Sequence, residues 1–268
     1  MTSRIKLISH RFLTFGDYEN TAQGLISALD NKVSYVEFDV RIAKCGTPVI
    51  YHDPEAIDID GVAHKINTVK YNDFSSLGGR FKTISSLDEI LDIAANHSNK
   101  KAKLLIDIKD FGYEKTIHSS VVKRKLTDKS IYVSWLPEVI YALHKITPLS
   151  KFCFSYWCKP PSETTKESHI VFKSQNGEIK NQPSANNIGR SSGWYIKGAL
   201  RGKLRDIISM VCVPKHMLDV SIVNEYHQNG IEVSSFSYLN ISEIINDKKY
   251  YNVDYFFADN KKVFDSIK

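Results

Sequence analysis

The sequence predicts an α/β protein whose eight parallel strands close into a (β/α)8 TIM barrel, and three observations carry that prediction. Short runs of β-branched and aromatic residues alternate with helix-like stretches from end to end, the order expected of parallel strands joined by right-handed crossovers. The runs number eight, the count that closes a barrel. At 268 residues the chain is long for an average domain but ordinary for one barrel, so residues 1–268 read as a single domain. An open doubly wound sheet is the competing arrangement.

The elements follow in order. IKLIS (5–9) opens the barrel, NTAQGLISALDN is the helix behind it, and YVEFDVRI (35–42) is the second strand. SSLDEILDIAANH is a helix whose start is marked by Ser86 with Glu89 three residues on, a capping box. KLLIDIK (103–109), IYVSW (131–135) and KFCFSYW (151–157) are strands three to five, separated by the helices EKTIHSSVVKRKL and LPEVIYALHKI. ISMVCV (208–213), IEVSSFSY (231–238) and DYFFAD (254–259) complete the set. Between them lie LDVSIVNEYHQNG, which Gly230 stops, and ISEIINDKKY. Two segments break the rhythm: residues 47–85, too long for a plain strand-to-helix loop, and a polar insertion at 158–200 after strand five. Loops of that size in a compact domain are usually functional, and loops after barrel strands lie on the catalytic face.

Composition narrows the class. With 42% hydrophobic and 25% charged residues the chain has the makings of a real core. The net charge of +6 is mild and suits an anionic substrate. The basic residues are scattered rather than focused in an arm or patch, which argues against nucleic acid. Cys45, Cys153, Cys158 and Cys212 form no paired framework and read as reduced thiols. No apolar run approaches the length of a membrane span. A cytoplasmic protein without stable membrane insertion is the expectation, and water-soluble fragments of lipid remain open to it as substrates.

Strand two poses the chemical question. Residues two apart on a strand share a face, so Glu37 and Asp39 point one way while Val36, Phe38 and Val40 point the other. Adjacent carboxylates repel unless a cation or a shared proton lies between them. His10 and Arg11 follow the first strand, His52 follows the run after the second, and Asp107 and Lys109 close the third. In a barrel these strand ends converge on the catalytic rim. Each residue alone has a structural explanation, and the coincidence is what points to a site. Three carboxylates completed by water suit a hard divalent cation, Mg2+ or Ca2+, and not zinc. Arg11 and Lys109 would neutralise a phosphate, and two histidines with an ordinary pKa of about 6.5 could serve as general base and general acid. That set describes metal-assisted phosphodiester cleavage.

The residues resemble the glycerophosphodiester phosphodiesterase family. SHRFLTFGDYENTAQGLISAL is similar to its opening His-Arg and following Glu-Asn-Thr, and YVEFDVRIAKCGTPVIYHD to its Glu-x-Asp strand and His-Asp pair. ISSLDEIL, LLIDIK, IYVSWLPEVIYALHKITP, VNEYHQNGIEVSSFSYLN and NVDYFFAD resemble later segments, so the likeness spans all but about 158–206. It implies a phospholipase C-like phosphodiesterase barrel that releases glycerol phosphate and an alcohol from a small-molecule or glycan phosphodiester. It also implies roles by position: His10 and His52 as the acid–base pair, Glu37, Asp39 and Asp107 as ligands of one divalent cation, Arg11 and Lys109 as phosphate contacts. Four departures stand out. Phe12 replaces the Gly that follows His-Arg, Asp107 replaces a longer Glu, PEAIDIDG replaces the stretch after His-Asp that carries Arg-Thr, and Phe236-Ser237 replaces Trp-Thr. The Asp-x-Lys strand also resembles the sphingomyelinase D-like phospholipases, which are typically secreted and disulfide-bonded. A catalytically silent barrel that binds a phosphoglycan is the non-enzymatic alternative.

Overall fold

The computed structural model describes residues 5–155, 171–173, 193–196 and 198–267. In chain order the elements begin with β1 (Lys6–Ser9), α1 (Ala22–Asp30), β2 (Tyr35–Ile42), β3 (Pro48–Ile50), β4 (Glu55–Ile57), β5 (Ala63–Lys65) and α2 (Leu87–Asn96). Next come β6 (Lys103–Ile108), α3 (Glu114–Lys123), β7 (Ser130–Ser134), α4 (Pro137–Ile146) and β8 (Lys151–Ser155). After the short strands β9 (Val171–Lys173) and β10 (Gly193–Tyr195) the chain forms α5 (Lys203–Ile207), β11 (Met210–Pro214), α6 (Val220–Gln228), β12 (Glu232–Tyr238), α7 (Ile241–Tyr251), β13 (Tyr255–Ala258) and α8 (Lys261–Asp265).

Eight strands pair in parallel in the order β1-β2-β6-β7-β8-β11-β12-β13, and β13 returns to β1, closing the barrel. These are the eight runs the sequence marks. Side-chain alternation then sorts each strand. Ile8, Leu105, Ile131, Val133, Cys153, Met210, Cys212, Tyr255 and Phe257 cluster inside the barrel. Val36, Phe38, Val40, Leu104, Ile106 and Ile108 pack in the larger cluster shared with the helices. With its neighbours turned outward, the Glu37–Asp39 pair is left on the inner face, and the register sets Asp39 opposite Asp107.

Helix ends follow local chemistry. Ser86 accepts from the Glu89 backbone while the Glu89 carboxylate accepts from the Ser86 N–H, completing the capping box. Gly230 ends α6 with φ +70°, where a Cβ would be strained. The sequence places Asn20 in the first helix, but α1 starts two residues later behind Thr21, and Asn20 sits in a left-handed turn at φ +59°. The short helices α5 and α8, five residues each, carry too little periodicity to be read from sequence.

The 47–85 segment is more than a loop. β3 runs antiparallel to the end of β2, β4 and β5 form a hairpin, and Val49, Tyr51, Ala56, Ile66, Phe74 and Phe81 bury a small core of their own. The 158–200 insertion lies outside the described residues apart from 171–173, 193–196 and 198–200, where β9 and β10 pair in parallel; Cys158 falls outside as well. Cys45, Cys153 and Cys212 are free thiols, the first exposed and the other two buried. Among the described residues no helix is long and apolar enough to cross a membrane.

Candidate active site

β1 delivers His10 and Arg11 to the C-terminal rim, and the next residues turn sharply. Arg11 and Phe12 both adopt left-handed conformations, at φ 53° and 58°. That turn aims the Arg11 backbone N–H at Glu37 Oε2, 3.0 Å away. The Asn20 backbone N–H closes the excursion on the Arg11 carbonyl at 2.6 Å. The Asn20 side chain holds Asp39 from two sides: its amide donates to Asp39 Oδ2 at 2.9 Å, and its oxygen accepts the Asp39 backbone N–H at 3.1 Å. Arg11 completes the corner, with Nε 3.4 Å from Asp39 Oδ2 and one terminal nitrogen donating to Glu19 at 3.2 Å.

Each histidine is backed by a carboxylate. His10 Nδ1 donates to Asp259, just past β13, at 2.7 Å, which turns its Nε2 inward to 4.0 Å from Glu37 Oε2. His52 Nδ1 donates to Asp53 at 2.8 Å. The His52 backbone is fixed in turn, because buried Arg41 donates to the His52 carbonyl at 2.8 Å and to Asp110 at 2.9 Å. Asp110 also accepts the Ile42 backbone N–H at 2.9 Å, tying the segment after β6 to the end of β2.

At the centre are Glu37, Asp39 and Asp107, all buried, with one oxygen from each lying within 4.8 Å of the others. Lys109 Nζ is 3.0 Å from Asp39 Oδ1 and 2.5 Å from Asp107 Oδ2. The resemblance implies a phosphate contact for Lys109. Its ammonium pairs with two of the acids, because residues two apart at a strand end share a face and the short Asp107 side chain keeps its carboxylate within reach. Burial drives the Glu37 pKa well above the usual carboxylate range, reinforced by Asp39 and Asp107. Burial also lifts Asp107, with Asp39 adding to it. Asp39 goes the other way: burial alone would raise it, but Lys109, His52, Arg11 and the Asn20 hydrogen bond together hold it well below its ordinary value. Burial, helped by the Lys109 and Arg11 charges, lowers His52 to about 3.

Arg11 is shared between Asp39 and Glu19, so two cations face four acids, and the raised Glu37 and Asp107 register the crowding of carboxylates in a buried place. Asp107 Oδ1 is buried with no hydrogen-bond partner, and Asp39 Oδ1 has none despite the nearby ammonium. A hard-oxygen donor set with orphaned lone pairs fits a divalent cation.

All seven residues marked by the sequence, His10, Arg11, Glu37, Asp39, His52, Asp107 and Lys109, line one cavity of about 500 Å³. Apolar side chains line it as well, among them Leu13, Val133, Trp135, Phe236 and Phe257, the last with its ring 5.6 Å from that of His10. Sequence reasoning assigned no part to Asp259, Asp53, Asn20 or Glu19. Asp53 and Asn20 stand beside named motif residues, whereas nothing in DYFFAD ties Asp259 to a histidine 249 positions away.

The fold and this cavity define a class: a (β/α)8 barrel with two carboxylate-backed histidines and a buried acidic cluster in one cavity. A family model described as the glycerophosphoryl diester phosphodiesterase family matches residues 8–260. The chain belongs to that family and is a phosphoric diester hydrolase. Solved structures agree in fold. A Silicibacter pomeroyi protein assigned to the glycerophosphoryl diester phosphodiesterases superposes with TM-score 0.73 at 17% identity, covering 100% of this chain and 94% of its own. A phosphodiesterase from Oleispira antarctica, determined with the product sn-glycerol-3-phosphate, gives 0.68 at 18%, covering 98% and 96%. The Thermotoga maritima glycerophosphodiester phosphodiesterase gives 0.67 at 17%, covering 99% of both chains. Among curated proteins no relative matches.

Proposed function

We propose that this protein hydrolyses a glycerophosphodiester, or a glycerophosphoryl group on a sugar or polymer, to glycerol phosphate and an alcohol. The observation that carries this reading is the buried acidic triad beside two carboxylate-backed histidines in one cavity that also has apolar lining. Glu37, Asp39 and Asp107 would hold one divalent cation, Mg2+ or Ca2+, which when bound neutralises charge on the phosphoryl oxygens. Arg11 and Lys109 line the same cavity and take up the remaining phosphate charge. His52, neutral at pH 7 with its Nδ1 occupied by Asp53, presents a free nitrogen to accept the proton of the attacking water or hydroxyl. His10, fixed through Asp259, is the proton donor to the leaving alkoxide. The whole chain acts as one domain in this reading, and its free thiols fit a cytoplasmic setting.

The test is release of sn-glycerol-3-phosphate from a panel of glycerophosphodiesters and glycerophosphoryl-glycans, before and after EDTA and with Mg2+ or Ca2+ restored. Loss with chelation and recovery with either ion is the expected result. Full turnover in excess EDTA would overturn the metal assignment, and tight phosphoglycan binding without turnover would overturn the catalytic one.

A further inference from the structure

Lys109 stands where a cation would. Its ammonium bridges Asp39 Oδ1 at 3.0 Å and Asp107 Oδ2 at 2.5 Å, two of the three carboxylates that come within 4.8 Å of one another. An ammonium and a divalent ion compete for the lone pairs of those carboxylates. The two cations repel, and Ca2+ or Mg2+ demands carboxylate oxygens at about 2.0–2.6 Å. The ammonium hydrogen-bonds only Asp107 Oδ2 and is an ion-pair neighbour of Asp39 Oδ1, so Asp39 Oδ1 and Asp107 Oδ1 make no hydrogen bond. Lys109 has somewhere to go: it lines the cavity of about 500 Å³, and a lysine ammonium on its four-carbon stem reorients freely.

We propose that Lys109 is a built-in counter-ion of the acidic triad, competing with the divalent cation, and that the ion enters only as this ammonium withdraws into the cavity toward the substrate phosphate. The proposal rests on reading Glu37, Asp39 and Asp107 as the metal site. A phosphate that holds the ammonium in its withdrawn position also clears the triad, so phosphate and metal each strengthen the other's binding.

Calorimetric titration of the full chain with Ca2+, without substrate, tests this in the wild type, Lys109→Met and Arg11→Met. Arg11 is the control: it carries the same charge and its Nε lies 3.4 Å from Asp39 Oδ2, but it does not bridge Asp39 to Asp107. Displacement predicts that Lys109→Met binds Ca2+ about 10- to 100-fold more tightly than wild type, the worth of one charge-assisted hydrogen bond, with a much smaller gain in Arg11→Met. Equal gains would mean that only the field of a nearby charge acts, and weaker binding by Lys109→Met would make it a supporting group; either result overturns the proposal. If neither wild type nor Lys109→Met binds Ca2+, the metal-site reading fails first, which separates the two failures. Should the variants not fold, a crystal structure of the wild type soaked in Ca2+ decides: Lys109 must have left at least one of its two carboxylates at a metal-occupied site.

Discussion

Phe12 should obey an inverted rule of substitution. It follows His-Arg, and it holds φ 58° and ψ 7° while fully buried. A left-handed non-glycine residue costs about 1–2 kcal/mol. The ring offsets that cost by packing on Phe38 at 5.6 Å between centroids, and removing a buried Phe side chain typically costs about 3–5 kcal/mol. Phe12→Ala loses the packing and keeps the strain. Phe12→Gly loses the packing and relieves the strain, so it should cost about 2–4 kcal/mol and be about 1 kcal/mol more stable than the Ala variant. Urea denaturation followed by tryptophan fluorescence measures both.

The neighbour supplies a second arm. A Cβ at Gly24 would lie 2.9 Å from the Phe12 Cβ and 3.0 Å from Thr21 Oγ1. Gly24→Ala should therefore destabilise the wild type by about 1–3 kcal/mol. It should do so clearly less in the Phe12→Gly background, where the closest clash is gone, and still appreciably in Phe12→Ala, where it remains. An Ala variant as stable as the Gly variant, or a Gly24→Ala cost that ignores the residue at 12, would refute the reasoning.

Further outcomes follow from the site. With metal saturating, His10→Ala should lose far more rate on an alkyl diester than on bis(p-nitrophenyl) phosphate, since a phenolate leaves unaided and acid assistance is worth about 10²- to 10⁴-fold; His52→Ala should hurt both alike, and the reverse pattern would exchange their roles. His52 falls from 6.5 to about 3 on folding, so the folded state binds fewer protons than the unfolded chain between those values. Its stabilising contribution is therefore complete above pH 6.5 and is lost as pH falls, by about 2 kcal/mol between pH 6.5 and 5. In EDTA, His52→Asn should lose less stability than wild type over that interval in paired urea melts. Asn20→Ala leaves the Asp39 N–H without its buried partner and should cost about 1–3 kcal/mol, with Ca2+ affinity reduced in calorimetry; unchanged affinity would free Asn20 of any part in positioning Asp39.

The eight barrel strands, the capping box at Ser86 and the same-face Glu37–Asp39 pair were legible in the sequence because each is written in local pattern: period-two alternation, a Ser with Glu three residues on, acids two apart. The seven candidate residues could be named for the same reason, since Glu37 and Asp39 share the inner face of β2 and the others lie at or just past strand ends, which barrel topology brings together. The small lobe at 47–85 was not legible. Its core joins side chains from short turns that carry no period long enough to read. Nor could the sequence pair His10 with Asp259 or seat Asn20 in a left-handed turn clamped on Asp39, because those contacts exist only once β13 closes against β1 and the chain after Arg11 folds back. Lys109 shows the division most plainly. The sequence determined that an ammonium and three carboxylates would share a rim, but only the register of β2 on β6, which sets Asp39 beside Asp107, decided that the ammonium would lie between two of the acids, where attraction at close range in a buried site exceeds what an open cavity offers.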